Sequence, residues 1–150
     1  MTKIDVINDR ILFELSRDGR IANTELADRV GLSPSACLRR VQELERSGVI
    51  RGYRAVLDRD QVDRGFLAYI AVGLNLHTKD SQEAFERAMD LAPQVTECHN
   101  ITGTVEYLLR VEVADLASYK TFHTDILGDL PQVRSLTSYI VMGSPKDQRG

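Results

Sequence analysis

Residues Thr24–Ser47 read TELADRVGLSPSACLRRVQELERS. Leu26, Ala27 and Val30 recur at helical spacing, and Gly31 follows as the residue best able to take positive φ at a helix end. Ser33 then offers an N-cap hydroxyl, and Pro34 falls at the first helical position, where a missing N–H costs nothing. Beyond it Cys37, Val41 and Leu44 form an apolar stripe, while Ser35, Ala36, Arg39, Arg40 and Glu43 lie largely off it. One helix, a tight turn and a second helix with arginines on its outer side is the layout of a helix-turn-helix. Small residues at the start of the second helix let the backbone approach a groove, and arginines one turn on can bond phosphates or guanine edges. The same spacing also suits a packing unit with a solvated arginine face, and Arg40 borders the apolar stripe closely enough to pack against the preceding helices.

The flanks favour the DNA-binding reading. Upstream, Ile4, Ile7, Ile11, Leu12 and Leu15 mark a helix that ends at Asp18-Gly19. Downstream, Ser47-Gly48 stops the recognition helix, and Val49–Leu57, rich in β-formers, predicts a short strand or hairpin serving as a wing. Arg51 and Arg54 on it are either contacts to the DNA backbone or exposed strand charges. Ser33–Arg54 carries five arginines against two glutamates, whereas residues 61–150 carry eight basic and twelve acidic groups. The whole chain is at −3, so any attraction to DNA is local to this face.

The second half has a different rhythm. Asp58–Gly65 is polar and aperiodic, a linker. Phe66–Leu76 is an apolar run of strand length. Ala84, Phe85, Ala88, Met89 and Leu91 mark a helix closed by Pro93. Val95–Thr102 and Val105–Val113 read as strands around Gly103. Leu116, Tyr119, Phe122, Ile126, Leu127 and Leu130 mark a helix stopped by Pro131, and Val133–Met142 alternates as a last strand. The order βαββαβ is the ferredoxin-like split unit, so the fold class is α+β: a winged helix-turn-helix over residues 1–57, a linker over 58–65, a ferredoxin-like domain over 66–143 and a tail over 144–150. Both parities of the Phe66 strand are apolar, as are Leu108, Val111 and Val113. A sheet with helices on one side only would leave such a face open, which predicts a homodimer or larger assembly.

Composition narrows the function classes. No apolar run approaches membrane-spanning length, and the N-terminus lacks a signal-peptide core. Cys37 and Cys98 fall in different predicted domains, so no disulfide is expected and a cytoplasmic setting is. His77, His99 and His123 have no metal-ligand spacing with the cysteines, and neither metal nor cofactor is expected. There is no glycine-rich phosphate loop and no nucleophile elbow. Glu106 and His99 are the one conceivable acid/base pair, and a bonded surface pair is the simpler reading, so the chain is not expected to be an enzyme.

At this point the chain resembles the leucine-responsive and asparagine regulator family (Lrp/AsnC, or feast/famine regulators) of prokaryotic transcription factors, nearly end to end. The resemblance is carried by Asp18-Gly19-Arg20, Glu25-Leu26-Ala27, Val30-Gly31-Leu32-Ser33, Arg40-Val41, Leu44-Glu45 and Gly48-Val49-Ile50-Arg51-Gly52-Tyr53. It continues in Glu97-Cys98-His99, Thr102-Gly103, Tyr107-Leu108-Leu109 and Leu130-Pro131-Gln132-Val133. It implies double-stranded DNA as a partner, dimers that assemble further, often into octamers, and an amino acid as effector. It places the effector at Ile101, Thr102, Gly103, Thr104, Val105 and Glu106, facing Ser135, Thr137 and Ser138 at an interface between dimers. Two positions depart from the family pattern. Thr104-Val105-Glu106 stands where members often have Asp, an aromatic residue and Asp, which changes what can pair with an α-ammonium group. Ala22 stands where a capping-box Ser or Thr is usual, with Asn23 as the alternative cap.

Three functions follow: an amino-acid-responsive transcription factor, an architectural DNA-binding protein of the same build that ignores small molecules, and an enzyme on the ferredoxin-like half. The first is the expectation. Binding of a free amino acid separates it from the second, and turnover of a substrate would establish the third.

Overall fold

A computed structural model describes residues 4–149. The chain divides into two compact units, Met1–Ala55 and Val56–Gly150.

The first unit is three helices: α1 (Val6–Arg17), α2 (Asn23–Val30) and α3 (Pro34–Arg46). Asp5 caps α1 by accepting from the Asn8 N–H at 2.8 Å. Gly31 ends α2 at φ 73°, a left-handed conformation that costs a glycine nothing. Ser33 caps α3, accepting from the Ala36 N–H at 3.2 Å, with Pro34 at the first position. The core joins Ile11, Leu26, Ala27, Val30, Cys37 and Leu44, with Ile7, Leu12, Leu15 and Val41 packed around it. Ile4 is the exception to the expected stripe: it precedes the cap of α1 and stays exposed.

The wing corrects the sequence reading. Val49–Leu57 forms no strand and no hairpin, because a strand needs a ladder partner and none is present among the described residues. Two anchors hold its start. The Ile50 N–H donates to the Leu44 carbonyl at 2.9 Å, just past α3, and the Tyr53 hydroxyl donates to Glu45 Oε1 at 2.8 Å. The Tyr53 ring lies over Gly19, where a Cβ would meet Tyr53 Cδ1 at 3.2 Å. Partial burial first, and then the Glu45 carboxylate, push the Tyr53 phenol up to about 12. Val56 and Leu57 remain exposed.

The second unit is a four-stranded antiparallel sheet of order β2-β3-β1-β4, from β1 (Phe66–Leu74), β2 (Val95–Asn100), β3 (Tyr107–Val113) and β4 (Val133–Ile140). Helix α4 (Lys79–Asp90) and helix α5 (Leu116–Thr121) cover one face, giving the ferredoxin-like order βαββαβ. Thr78 caps α4 and Asp115 caps α5. The second helix continues from α5 as a π-helical turn, Phe122–Leu127, and stops short of Leu130. The wider turn brings Phe122 and Leu127, five residues apart, onto the same buried face. The core under the helices joins Ile70, Val72 and Leu74 to Leu109 and Val111, and to Phe85, Met89, Tyr119, Phe122 and Leu127. Each such side chain contributes about 1.5–3 kcal/mol by leaving water.

The other face of the sheet carries Leu67, Tyr69, Ala71 and Gly73 of β1, paired with Glu112, Arg110 and Leu108 of β3 on one side and with Tyr139, Thr137 and Ser135 of β4 on the other. Val111 and Val113, expected to extend this apolar face, alternate away from Leu108 and are buried beneath the helices. In their place stand Arg110 and Glu112. Arg110 is nearly fully buried, donates to the Tyr69 hydroxyl at 3.1 Å, and pairs with Glu112 at 3.9 Å and Asp147 at 3.7 Å. Arg59 reaches the same two acids at 3.6 and 3.7 Å. Two arginines and two carboxylates thus neutralise one another. Residues 58–65 and 144–149, expected as linker and tail, are held to the sheet through this cluster and through Arg149, which pairs with Glu97 at 2.6 Å.

Candidate DNA-binding and effector sites

On α3 the N-terminal turn presents Ser33 and Ser35 to solvent, with Ala36 half-buried behind them. Arg39, one turn on, is exposed, with no ion pair or hydrogen bond to a described residue. Arg51 and Arg54 are exposed in the same way. Glu43 is engaged along its own helix, accepting two bonds from Arg46 at 2.9 and 2.7 Å.

Arg40 is turned the other way. Its Nη1 donates to both oxygens of Asp5, at 2.9 and 2.8 Å, and to Asn8 Oδ1 at 3.1 Å. The guanidinium, and then the Asn8 N–H, hold the Asp5 carboxyl below the usual carboxylate range. One carboxylate therefore caps α1 and anchors α3, fixing the angle between the recognition helix and the helix behind it. The expected groove-facing set is thus separated into Ser33, Ser35, Ala36 and Arg39 on the outer side and Arg40 on the inner one.

The start of α2 has no side-chain cap. Ala22 occupies the N-cap position, and Asn23 does not cap in its place: its Nδ2 donates to the Pro34 carbonyl at 2.8 Å, tying the starts of α2 and α3 together. Glu25, the partner a capping box would use, bonds Arg29 at 2.6 Å, and Arg29 also bridges to Glu14 on α1 at 2.8 Å.

In the second unit the loop Ile101–Glu106 turns through Gly103 at φ 135° and is closed by the Ile101 N–H donating to the Glu106 carbonyl at 2.9 Å. Thr102, Gly103 and Thr104 are exposed, while Ile101, Val105 and Glu106 are half-buried. Glu106 is already bonded. Its Oε2 accepts from the Leu74 N–H at 2.7 Å, where the β1–β4 register shifts, and its Oε1 lies 2.8 Å from His77 Nδ1. The expected Glu106–His99 pair is absent, because His99 pairs instead with Glu97 at 3.3 Å. Ser135, opposite Gly73, reaches the same end of the sheet as the loop. Thr137 shares the helix-free face further along, whereas Ser138 points to the helix side and bonds the Tyr119 hydroxyl. The structure brings Ile101–Glu106 and Ser135 together and leaves Ser138 apart. The contact of His77 with Glu106 has no signal in the sequence, because His77 lies in another loop and follows no motif. A cleft of about 530 Å³ lies toward the other end of the sheet, lined by Leu67, Tyr69, Arg110 and the 143–149 segment.

A helix-turn-helix unit followed in the chain by a ferredoxin-like unit with a glycine loop at one sheet end defines a class of ligand-linked DNA-binding proteins. The sequence matches the family description "Winged helix-turn-helix DNA-binding" over residues 5–51 and "Lrp/AsnC ligand binding domain" over residues 67–150, and the chain belongs to the Lrp/AsnC family of transcriptional regulators. It is 41% identical to the leucine-responsive regulatory protein of Escherichia coli over 143 residues, which cover 95% of this chain and 87% of that protein. A transcriptional regulator of Neisseria meningitidis, solved as an L-methionine complex, superposes with a TM-score of 0.92 at 35% identity, covering 97% of this chain and 94% of that one. An AsnC family regulator of Agrobacterium tumefaciens superposes with a TM-score of 0.90 at 32% identity, covering 96% and 94%. Among the described residues no helix is long and apolar enough to cross a membrane, and no group of three or more His, Cys, Asp or Glu side chains is placed to hold a metal.

Proposed function

We propose that the chain is a cytoplasmic, sequence-specific DNA-binding regulator whose assembly or DNA affinity responds to a small amino acid. The observation that carries the DNA half is the outer face of α3: Ser33 and Ser35 face solvent and Arg39 stands free on a helix that Arg40 locks to α1 from behind. Arg39 contacts base edges or phosphates, Arg51 and Arg54 contact the backbone, and Arg40 acts by setting the angle of α3. The effector half rests on the 101–106 loop, where Gly103 admits a close ligand, the Thr102 and Thr104 hydroxyls are exposed and Glu106 supplies a carboxylate. The L-methionine bound to the Neisseria relative supports an amino acid as occupant. Ala71 and Leu108, half-buried on the helix-free face, form the contact of a homodimer, and dimers assemble further, an octamer being the family expectation.

One observation favours the architectural alternative: both oxygens of Glu106 have partners within the chain. The deciding experiment is footprinting on a genomic fragment library, with sedimentation in parallel, with and without each of the twenty amino acids at millimolar concentration. Discrete protected half-sites whose occupancy or spacing changes with one amino acid support the proposal. Protection that no amino acid alters, with unchanged assembly, supports the architectural reading.

A further inference from the structure

Glu106 is the single side-chain acid of the 101–106 loop, and its two bonds differ in kind. The Leu74 N–H belongs to a strand backbone and is fixed in place at the register shift of β1. His77 is a side chain of the loop between β1 and α4, 72% exposed, while the Glu106 side chain it touches is 12% exposed. A cationic or neutral N–H donor on an exposed arm thus sits on the shielded oxygen that an α-ammonium group would need. An imidazolium and an ammonium make the same charge-assisted bond to a carboxylate.

We propose that His77 is a built-in competitor for the amino-acid ammonium group: it holds Glu106 Oε1 in the ligand-free chain and yields it to the ligand. This rests on the reading of the loop as an amino-acid site. The backbone bond from Leu74 stays in place throughout, so the carboxylate remains aimed while its second oxygen changes partner.

The competition depends on pH with a definite sign. Imidazole is the side chain that changes charge between about pH 5 and 8. Where the imidazole is protonated the ligand must displace a cation from Glu106, and where it is neutral an uncharged donor, so affinity rises with pH. The neighbouring groups include a second imidazole, His99, whose contribution the His77→Ala variant separates. Arg134 of β4, with Nη2 3.6 Å from where a Gly73 side chain would begin, keeps its charge throughout. Lys79 of α4 pairs with Glu83 at 3.6 Å, Asp80 stands in the first turn of α4, and His99 on β2 is engaged by Glu97. Among the described residues His77 and Glu106 have no further ion pair.

The test is calorimetric titration of the full-length protein with L-methionine and with L-leucine at pH 5.5, 6.5 and 7.5, using the parent chain, His77→Ala and His77→Lys. The parent is expected to bind about fivefold or more tightly at pH 7.5 than at pH 5.5. His77→Ala removes the competitor, so its affinity is flat with pH and at least equal to that of the parent at pH 7.5. His77→Lys installs a permanent cation, so its affinity is flat and weak. A pH slope surviving in His77→Ala, or equal affinities for the alanine and lysine variants, overturns the role given to His77 and leaves the pocket standing. Absence of binding in all three proteins at every pH defeats the amino-acid reading itself, and this inference with it.

Discussion

Replacing Ala22 by serine should stabilise the first unit, and the gain can be worked out from its neighbours. Ala22 has φ −64° and ψ 142° at the N-cap of α2. Ser33 caps α3 at φ −66° and ψ 152°, and Thr78 caps α4 at φ −75° and ψ 153°, each accepting from the N–H three residues on. A serine at position 22 therefore inherits the backbone that two working caps already use. Its hydroxyl would accept from the Glu25 N–H, which has no side-chain acceptor at present. The site is exposed, so the added oxygen meets no packing penalty.

A serine cap over alanine is worth about 0.5–2 kcal/mol. The lower half of that range applies, because Glu25 is bonded to Arg29 at 2.6 Å and does not reach back to complete the reciprocal half of a capping box. A gain of about 1 kcal/mol moves the midpoint of a small domain by about 4–8 °C. Urea unfolding of the full chain followed by circular dichroism measures the gain, and hydrogen exchange at the Glu25 amide locates it. Ala22→Val, which adds bulk without an acceptor, should bring none. Unchanged exchange at Glu25, or an equal gain from valine, would refute the argument.

Arg39→Ala should cost about 1–3 kcal/mol and relax one base position if Arg39 reads a guanine, or weaken all sequences evenly and lower the salt slope by about one if it meets phosphate; binding isotherms on permuted sites at several salt concentrations distinguish the two. Leu108→Asp places a charge on the helix-free face beside Ala71 and should shift sedimentation from assembled toward monomeric species while helix content persists. Gly103→Val puts a β-branched residue at φ 135°, so the ligand response should be lost in mobility-shift assays, with DNA affinity retained. Asp5 should carry an acid limb of stability: its folded carboxyl is depressed by Arg40 and Asn8, so its contribution is present above the usual carboxylate range and lost as pH falls through the lowered value. The urea-midpoint difference between parent and Asp5→Asn should therefore shrink below about pH 4.

The sequence reads well where structure is set by neighbours along the chain. Gly31, Ser33 and Pro34 announce a turn and a cap within four positions, and the structure has both. The helices of both units likewise follow from spacing that a few residues contain. Features made by distant partners were not legible. Arg40 bonds an aspartate thirty-five positions away, and position along the helix alone cannot say whether a long side chain bordering an apolar stripe folds inward or outward. The wing failed as a strand for the same reason: β-forming residues state a preference, and the ladder needs a second strand. On β3 apolar composition alone does not state parity, and Arg110 and Glu112 alternate with valines that face the other way.

The 101–106 loop shows the same limit with more at stake. Thr104-Val105-Glu106 is visible in the sequence as a change of charge and length against the family pattern, which alters what can pair with an α-ammonium group. Glu106 instead spans from the Leu74 N–H to the imidazole of His77, both supplied by β1 and the loop that follows it. A shorter carboxylate fixed by the backbone would offer an oxygen permanently. A longer one held on one side by a strand and on the other by a movable imidazole offers it conditionally. On the competition proposed above, the departure from the family pattern acts less on whether an ammonium group can be held than on when, and the protonation of a side chain in a different loop sets the condition.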